Sequence, residues 1–212
     1  MKRNIVITIA RQYGSGGRTV GEMLAKDLGI HYYNNELIRL ASEESGISES
    51  LFLENEERMR NTLFFKVPVK VYNGEIIGPE SKEFTSEDNL FAFQARAIRK
   101  LAETTSGVVV GRAADFVLRD YDNVLIVFVH APHDFLVEQA AKVKSLPKDE
   151  LEKFMAKEDK YRAVYYEHHT GQKWTDAMNY DLCLDGSKLG FEKCVEAIKA
   201  HCKVRFGEDI FD

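Results

Sequence analysis

The sequence predicts an α/β fold, a three-layer sandwich in which helices cover both faces of a parallel β-sheet. Two observations predict it. Apolar runs of strand length recur at residues 4–9, 107–110 and 124–129, and near-continuous apolar runs are typical of parallel strands that are buried on both faces. Segments with helical periodicity separate these runs, and an alternation of strand and helix along one chain gives a parallel sheet.

The remaining elements follow in the same alternation. The first run leads into a glycine-rich loop, and the helix predicted after the loop carries Val20, Leu24 and Leu28 on one apolar face. A weaker strand candidate at 180–184 precedes a closing helix. Because the chain has 212 residues and contains no repeat or linker, we expect a single domain spanning 1–212 with one or two inserts.

One region that interrupts the alternation lies within residues 34–104. It contains a charged, helix-like stretch and then a β-rich segment at 67–77 with an Asn-Gly pair at its centre. This pair predicts a β-hairpin, because both turn positions need a positive φ. The polar residues 85–88 follow, and they predict the capped start of a helix with an apolar stripe.

A second interruption lies at 145–175, a polar stretch that is dense in charged and aromatic residues. Both interruptions are candidates for inserts that close over a ligand.

Composition excludes some classes of function. The net charge of −5 argues against a nucleic-acid polymer as partner, because such binding needs a basic field over the docking face. No run approaches the length of a membrane span, so we expect no membrane partner. The three cysteines have no metal-ligand spacing, and they predict a reducing, cytoplasmic location. His130 and His133, like His168 and His169, lack the i, i+4 spacing of a helical zinc site.

The most informative segment is the glycine-rich loop Gly14-Ser15-Gly16-Gly17-Arg18-Thr19, between the first strand and its helix. Phosphate binding needs this geometry, because backbone N–H groups must converge on anionic oxygens and side chains would block their approach. The helix N-terminus adds a favourable partial positive charge. The alternative is a plain glycine turn, but the position between a strand and an amphipathic helix favours phosphate binding.

The loop lacks the lysine of the usual G-x-x-x-x-G-K-[ST] pattern. In one register Gly17-Arg18-Thr19 replaces Gly-Lys-Thr and Gln12 takes the opening position; in the other, Gly17 takes the place of the lysine and Arg11 opens the loop. The first register is chemically more sensible, because Arg18 could hold phosphates bidentately and the Thr19 hydroxyl could bind Mg²⁺. A nucleotide-binding protein with little turnover is the alternative that the missing lysine leaves open.

At this point the sequence resembles the cytidylate kinase-like family of phosphate-loop kinases, in three blocks at 7–29, 107–115 and 159–182. The resemblance implies a P-loop nucleoside monophosphate kinase fold, with an acceptor-binding insert (34–104) and a helical lid (145–175). It also implies transfer of the γ-phosphoryl group of ATP, with Mg²⁺, to CMP or dCMP. Another small metabolite, an alcohol or a phosphate, is the alternative acceptor.

Phosphoryl transfer needs several cations at one point, because negative charge spreads over the equatorial oxygens. We predict Arg18, Arg112 and Arg162 as the catalytic residues. Arg112 follows a strand-ending glycine at the carboxyl edge of the sheet, where ligands bind in such folds. A structural ion pair is the alternative for Arg112. For Arg162 the alternative is a solvated charged face, and the resemblance to the family is what favours a catalytic role.

Substrate contacts are predicted at Arg39, Arg112, Asp115 and Asp159. Asp115 lies one helical turn after Arg112, where it can orient that arginine, contact a base amino group or cap the helix. Weaker candidates by position are Gln94, Arg96, Arg99, Lys160 and Lys173.

Two further groups have structural alternatives to a binding role. Tyr165, Tyr166 and Trp174 either stack on a base or pack the lid onto the core. Asn34 and Asn35 begin a helix after the second strand, and capping is their expected role.

Overall fold

The α/β fold with a parallel sheet is confirmed by the computed structural model, which describes residues 4–62 and 68–211. Five strands lie in the order β2-β3-β1-β4-β5. The strands are β1 (Val6–Arg11), β2 (His31–Tyr33), β3 (Gly107–Val110), β4 (Val124–His130) and β5 (Leu182–Asp185). Every neighbouring pair is parallel, so the carboxyl ends of all five strands meet at one edge of the sheet.

Helices connect the strands and make up most of regions 34–104 and 145–175. They are α1 (Gly17–Leu28), α2 (Glu36–Ser45), α3 (Glu49–Thr62), α4 (Glu87–Thr104), α5 (Ala114–Val117), α6 (His133–Val143), α7 (Lys148–Thr170) and α8 (Gly186–Phe206), with a short 3-10 helix at Ala177–Asn179. Helix α8 is kinked at Gly190, where φ is +74°. None of the helices within the described ranges is both long and apolar enough to cross a membrane.

Apolar side chains cover both faces of the sheet. On one face, α1 and α8 bury residues such as Leu24 and Ile198 against the strands. On the other face, α4, α5 and the last turns of α7 contribute Phe91, Phe116 and Tyr166 to a second core. Burial of each large apolar side chain is worth about 1.5–3 kcal/mol, so these layers hold the carboxyl edge of the sheet in place.

Region 34–104 forms α2, α3 and α4 around a small core of its own, which includes Phe52 and Leu90. The predicted helix cap is confirmed, because the Ser86 hydroxyl accepts a hydrogen bond from the Asn89 backbone N–H at 3.4 Å. The predicted lid region is dominated by the single long helix α7.

The predicted β-hairpin is wrong, since residues 68–77 contain no strand; residue 67, where the segment was expected to start, lies outside the described ranges. The Asn-Gly pair does form a turn, with φ +92° at its glycine. However, the backbone N–H groups of Lys70 and Tyr72 donate to the carbonyls of His168 and His169, each at 2.8 Å. The amides that a hairpin would pair are used by the end of α7, a contact that a local turn signal cannot reveal.

Candidate active site

The loop between β1 and α1 is built around two glycines in the left-handed region. Gly14 has φ +82° and Gly16 has φ +83°. A Cβ added at Gly14 would lie 2.3 Å from the carbonyl oxygen of Leu136, and a Cβ at Gly16 would lie 2.1 Å from the Phe191 ring. Glycine alone fits both positions without strain, so main chain rather than side chain forms the turn into α1.

Neighbouring elements hold this loop in place. Ser15 is fully buried, and its hydroxyl donates to the Gln12 carbonyl at 2.9 Å. The Gln12 side-chain oxygen accepts from the Ala131 N–H, just after β4, at 3.2 Å. The Tyr13 N–H donates to the carboxylate of Asp159 on α7 at 2.9 Å. The helix predicted as a lid therefore contacts the glycine loop directly.

A cavity of about 470 Å³ opens beside the loop and the start of α1, and it is termed the donor cavity. Its volume is in the usual range for small-molecule sites. It is lined by Arg11, Gln12, Tyr13, Gly14, Gly16, Gly17, Arg18, Thr19, Asn34, Asn35, Gln139, Lys142, Val143, Arg162 and Phe191. Most of the residues predicted to bind phosphate thus line one space.

Arg18 and Thr19 stand at the exposed mouth of the donor cavity. The side chain of Arg18 is 67% exposed and pairs with Glu22, one helical turn away, at 3.1 Å. Such exposed pairs are worth little, on the order of 0.3–0.5 kcal/mol, so Arg18 is free to exchange this partner for a ligand.

A second cavity, of about 140 Å³, lies beyond the end of β3 and is termed the acceptor cavity. The backbone there is unusual, because Gly111, Arg112 and Ala113 have φ values of +77°, +60° and +49°. Two consecutive non-glycine residues in this region are rare and strained, and such strain clusters at functional sites. The turn directs the chain from β3 into α5 at the carboxyl edge of the sheet.

Arg112 is held by three partners in the acceptor cavity. Its side chain is only 11% exposed and forms an ion pair with Glu56 of α3. It also donates to Gln94 of α4 at 2.7 Å and to the Asn34 carbonyl at 3.3 Å. The structural ion pair that was the alternative prediction for Arg112 is therefore present, and both of its members line the cavity in which we expect the acceptor.

Asp115 is the buried carboxyl group of the acceptor cavity. It is 4% exposed, and one of its oxygens, Oδ2, has no hydrogen-bond partner among the described residues. Burial raises the pKa of Asp115 to about 6, against the hydrogen bonds from Tyr166 and from the main chain. A carboxyl group with a free oxygen in a cavity can accept a hydrogen bond or a proton from a ligand.

The two cavities meet at residues that line both of them: Arg11, Asn34, Asn35 and Arg162. Arg162 of α7 is 18% exposed and pairs with Asp159 at 2.5 Å. Burial, and then the positive charge of Arg162, lower the pKa of Arg11 to about 9. A concentration of guanidinium groups at the junction of two cavities suits negative charge that passes from one ligand to another.

Not every predicted residue is brought to this junction. Arg39 lies on the exposed face of α2, where it pairs with Glu36 and Glu43, and it lines neither cavity. Arg96 and Arg99 contact Glu44 and Tyr72. The binding role predicted for Arg39 gains no support from its surroundings.

The sequence predicted a capping role for Asn34 and Asn35, whereas their main feature in the structure is their position between the two cavities. Asn35 occupies the N-cap position of α2 but makes no capping hydrogen bond with its side chain, and both asparagines line both cavities. Their position directly after β2, at the carboxyl edge of the sheet, was the signal that could have identified them. Tyr165, Tyr166 and Trp174 line the acceptor cavity and also pack into the core, so both predicted alternatives fit their positions.

The paired histidines at the end of α7 lie outside both cavities. His168 faces acceptors with both ring nitrogens, the Pro68 carbonyl at 2.6 Å and Asp88 at 3.0 Å. Burial lowers the pKa of His169 to about 3, so this ring is neutral. Glu87 lies beside the two rings, and polar atoms of these three side chains are within 4.8 Å of one another. The hydrogen bonds of His168 tie α7 to the start of α4, which is a structural role.

Comparison with known proteins agrees with this architecture. A family model described as the cytidylate kinase-like family matches residues 6–188. A crystal structure of an uncharacterized protein from Eubacterium ventriosum is 24% identical, with a TM-score of 0.70, and covers 95% of this chain and 100% of its own. Shikimate kinase from Bacteroides thetaiotaomicron is 15% identical, with a TM-score of 0.48, over 94% of this chain and 98% of its own. No curated protein sequence matches the chain.

Proposed function

Since the chain belongs to the cytidylate kinase-like family, and is thereby a phosphotransferase of the P-loop kinase kind, we propose that it transfers the γ-phosphoryl group of ATP to a nucleoside monophosphate, CMP or dCMP. One observation carries the proposal: a cavity beside the glycine loop and a cavity at the end of β3 meet at Arg11 and Arg162. In-line transfer between two bound molecules needs this arrangement, with cations at the point of transfer.

In this proposal the donor cavity holds the triphosphate. Backbone N–H groups between Gly14 and Thr19 cradle the phosphate oxygens, apart from those of Ser15 and Gly17, which donate within the loop. The start of α1 adds its partial positive charge. Arg18 leaves Glu22 and contacts the phosphates at the mouth of the cavity.

The donor cavity also fits Mg²⁺ that arrives bound to phosphate oxygens. Its described lining offers the Thr19 hydroxyl and amide oxygens of Asn34 and Asn35, and it contains no carboxylate. Mg²⁺ prefers oxygen ligands and keeps several of its waters beside nucleotide phosphates. When bound, the ion neutralises charge on the phosphates, and Thr19 would hold it at the start of α1.

The acceptor cavity would take the nucleoside monophosphate. Arg112 would bind its phosphate, and Asp115 would accept a hydrogen bond from its base or sugar. Arg39 and Asp159 keep their predicted role as substrate contacts only if α2 and α7 move toward the ligand. Because Arg112 is paired with Glu56, the acceptor phosphate would replace that carboxylate as its partner.

Arg162 would serve the transferring group itself. It stands between the two cavities on α7, and it lies 5.5 Å from the centre of the Tyr13 ring in the glycine loop. A guanidinium group here can stabilise the charge of the transition state while α7 excludes water.

The test is an ADP-release assay with ATP–Mg²⁺ and a panel of acceptors: CMP, dCMP, UMP, AMP, and small alcohols without a phosphate. We expect release with CMP or dCMP to exceed release with every other acceptor. Preference for an acceptor outside the nucleotides would contradict the proposal. Tight binding of ATP–Mg²⁺ by titration calorimetry, without ADP release in any mixture, would favour a nucleotide-binding protein with little turnover.

A small metabolite alcohol is the second candidate acceptor, and two observations favour it. The acceptor cavity, at about 140 Å³, is smaller than the roughly 300 Å³ at which ligand pockets usually begin. Asp115 also has an unpartnered oxygen and a pKa of about 6, properties that suit a general base for a hydroxyl group. The alcohols in the same panel test this candidate.

A further inference from the structure

Arg11, the last residue of β1, reaches from the strand to the junction of the two cavities. Its Cβ lies beside Gly17, the first residue of α1: a Cβ added at Gly17 would lie 2.5 Å from it. At the other end of the side chain, a Cβ added at Gly111 would lie 2.5 Å from Nη1 of Arg11. Two glycines therefore leave the space through which this side chain runs.

The guanidinium group of Arg11 has no protein partner for its charge. Among the described residues, no hydrogen bond or ion pair reaches its nitrogens, whereas Arg18, Arg112 and Arg162 each pair with a carboxylate. The carboxylate with an electrostatic effect on Arg11 is that of Asp159, which is already bound to Arg162 and to the loop backbone. A partly buried cation without a partner among the described residues is unfavourable unless a ligand supplies the negative charge.

Gly17 explains why a lysine is absent from the loop. In the register that opens with Arg11, Gly17 stands where the P-loop lysine would be, and any side chain at 17 would collide with Arg11. The backbone of Gly17 itself has an ordinary φ, so crowding rather than strain excludes a side chain; Arg11 is the main cause, and Val129 is a lesser one because its Cβ would lie 3.2 Å from the added Cβ. Compared with the usual pattern, an arginine stands at the position of the opening glycine, and a glycine stands at the position of the lysine.

We propose that Arg11 replaces the missing loop lysine, and that its guanidinium group binds the β- and γ-phosphate oxygens of the donor. This inference rests on the proposed function only for the identity of the donor, because the anion site follows from Arg11 itself. Arg18, at the exposed mouth of the cavity, is then an auxiliary contact and not the substitute for lysine. The geometry favours the register that opens with Arg11; the Ser/Thr position of the usual pattern then falls on Arg18, and the contact of Thr19 with Mg²⁺ comes from the next residue.

The first experiment measures binding of inorganic tripolyphosphate and of ATP–Mg²⁺ by titration calorimetry, with wild type, Arg11→Met and Arg18→Met. A charge-assisted hydrogen bond predicts that Arg11→Met weakens tripolyphosphate binding by roughly tenfold to a hundredfold. Arg18→Met should weaken it by less than Arg11→Met does. Arg205→Met, at the far end of α8, where the arginine pairs with Asp181, is the matched control and should leave binding unchanged.

The second experiment is a rescue. Arg11→Gly alone should lose binding as Arg11→Met does, whereas the double variant Arg11→Gly/Gly17→Lys puts glycine and lysine at the positions that they hold in the usual pattern and should recover binding to within about tenfold of wild type. Gly17→Lys alone should be destabilised, because Arg11 is still in the way. A structural role for Arg11 would not be rescued by a lysine at another position.

Thermal unfolding without ligand separates loss of binding from loss of fold. Because a buried, unpaired charge is replaced by an apolar chain of similar length, Arg11→Met should unfold at or above the wild-type temperature. Unchanged tripolyphosphate binding in Arg11→Met, failure of this variant to fold, or no recovery in the double variant would overturn the inference. If no acceptor gives ADP release but tripolyphosphate binding depends on Arg11, the proposed reaction fails and the Arg11 site stands.

Discussion

In the proposed reaction the donor and acceptor cavities each bind a phosphate, and their charged side chains are arranged in opposite ways. The donor cavity lies beside the glycine loop; within the described part of the chain its Arg11 is unpaired, and its Arg18 is only loosely paired. In the acceptor cavity, Arg112 is tightly paired with a carboxylate. The donor cavity is therefore prepared for an anion before it arrives, whereas the acceptor cavity must exchange an internal ion pair for one.

This difference affects how easily each cavity accepts a ligand. A preformed cradle loses little freedom when a ligand binds. A ligand of the acceptor cavity would have to replace the carboxylate of Glu56 as the partner of Arg112, so under the proposed function this ion pair would act as a filter for phosphate-bearing acceptors. The following variants test the two halves of this comparison.

The largest effect is expected at the glycine loop. Gly14→Ala should lower the free energy of unfolding by about 4 kcal/mol, because a left-handed backbone strains alanine and its Cβ would meet a carbonyl oxygen of α6 at 2.3 Å. Gly29→Ala is the matched control, since Gly29 also has a positive φ (+64°) but open space around it. It should lose only about 1 kcal/mol. Equal losses in urea unfolding would mean that the cradle is not tightly fitted.

The next effect is a pH dependence at Asp115. Its pKa is raised from 3.8 to about 6 by burial, so between these values the unfolded chain has released a proton that the native protein still holds. Stability therefore falls as pH rises through this window, by on the order of 3 kcal/mol, and Asp115→Asn should not show this loss.

The measurement is the difference in unfolding free energy between wild type and Asp115→Asn at pH 4, 5, 6 and 7. That difference should shift against wild type up to pH 6 and then level off. Asp120→Asn, at a carboxylate that is 85% exposed, serves as the control and should give a flat difference. A flat line for Asp115→Asn as well would show that this carboxyl group is ionised in the native protein.

Arg162→Ala tests the junction. We expect kcat to fall about a hundredfold, as for other groups that stabilise developing charge, while the affinity for ATP changes much less. Stopped-flow or steady-state kinetics with separate ATP titrations distinguish the two quantities. Equal losses in kcat and ATP affinity would identify a ground-state contact. Arg162→Lys keeps the charge and should recover part of kcat.

The smallest effect concerns the filter in the acceptor cavity. Glu56→Gln should lower KM for a nucleoside monophosphate by roughly tenfold, because Arg112 loses the competing charge but keeps a neighbour of the same size. KM for an acceptor without a phosphate should not fall. Glu57→Gln, on the exposed side of the same helix, is the control. An unchanged KM in Glu56→Gln would mean that the acceptor phosphate binds elsewhere.

Several features could be predicted from the sequence because they depend on short stretches of chain. The strands at 107–110 and near 124–130, the glycine loop and the Ser86 cap were predicted to within a residue or two. Continuous apolar runs indicate buried strands, and a few adjacent residues are enough to indicate a cap or a loop. The hairpin failed for the converse reason, since the amides that it needed are bound by a distant helix.

The candidate site likewise has features that depend on short stretches of chain and features that depend on distant contacts. The sequence by itself determined the parallel sheet, the glycine loop and the presence of arginines at strand ends, because periodicity and glycine spacing act locally. Only the tertiary structure decided which arginines are paired. In the structure, Arg18 is exposed to solvent, Arg112 is paired with Glu56, and Arg11 lies between two cavities with no partner in ranges 4–62 and 68–211. Charge pairing depends on distances between elements far apart in the chain, and residue order alone does not contain those distances.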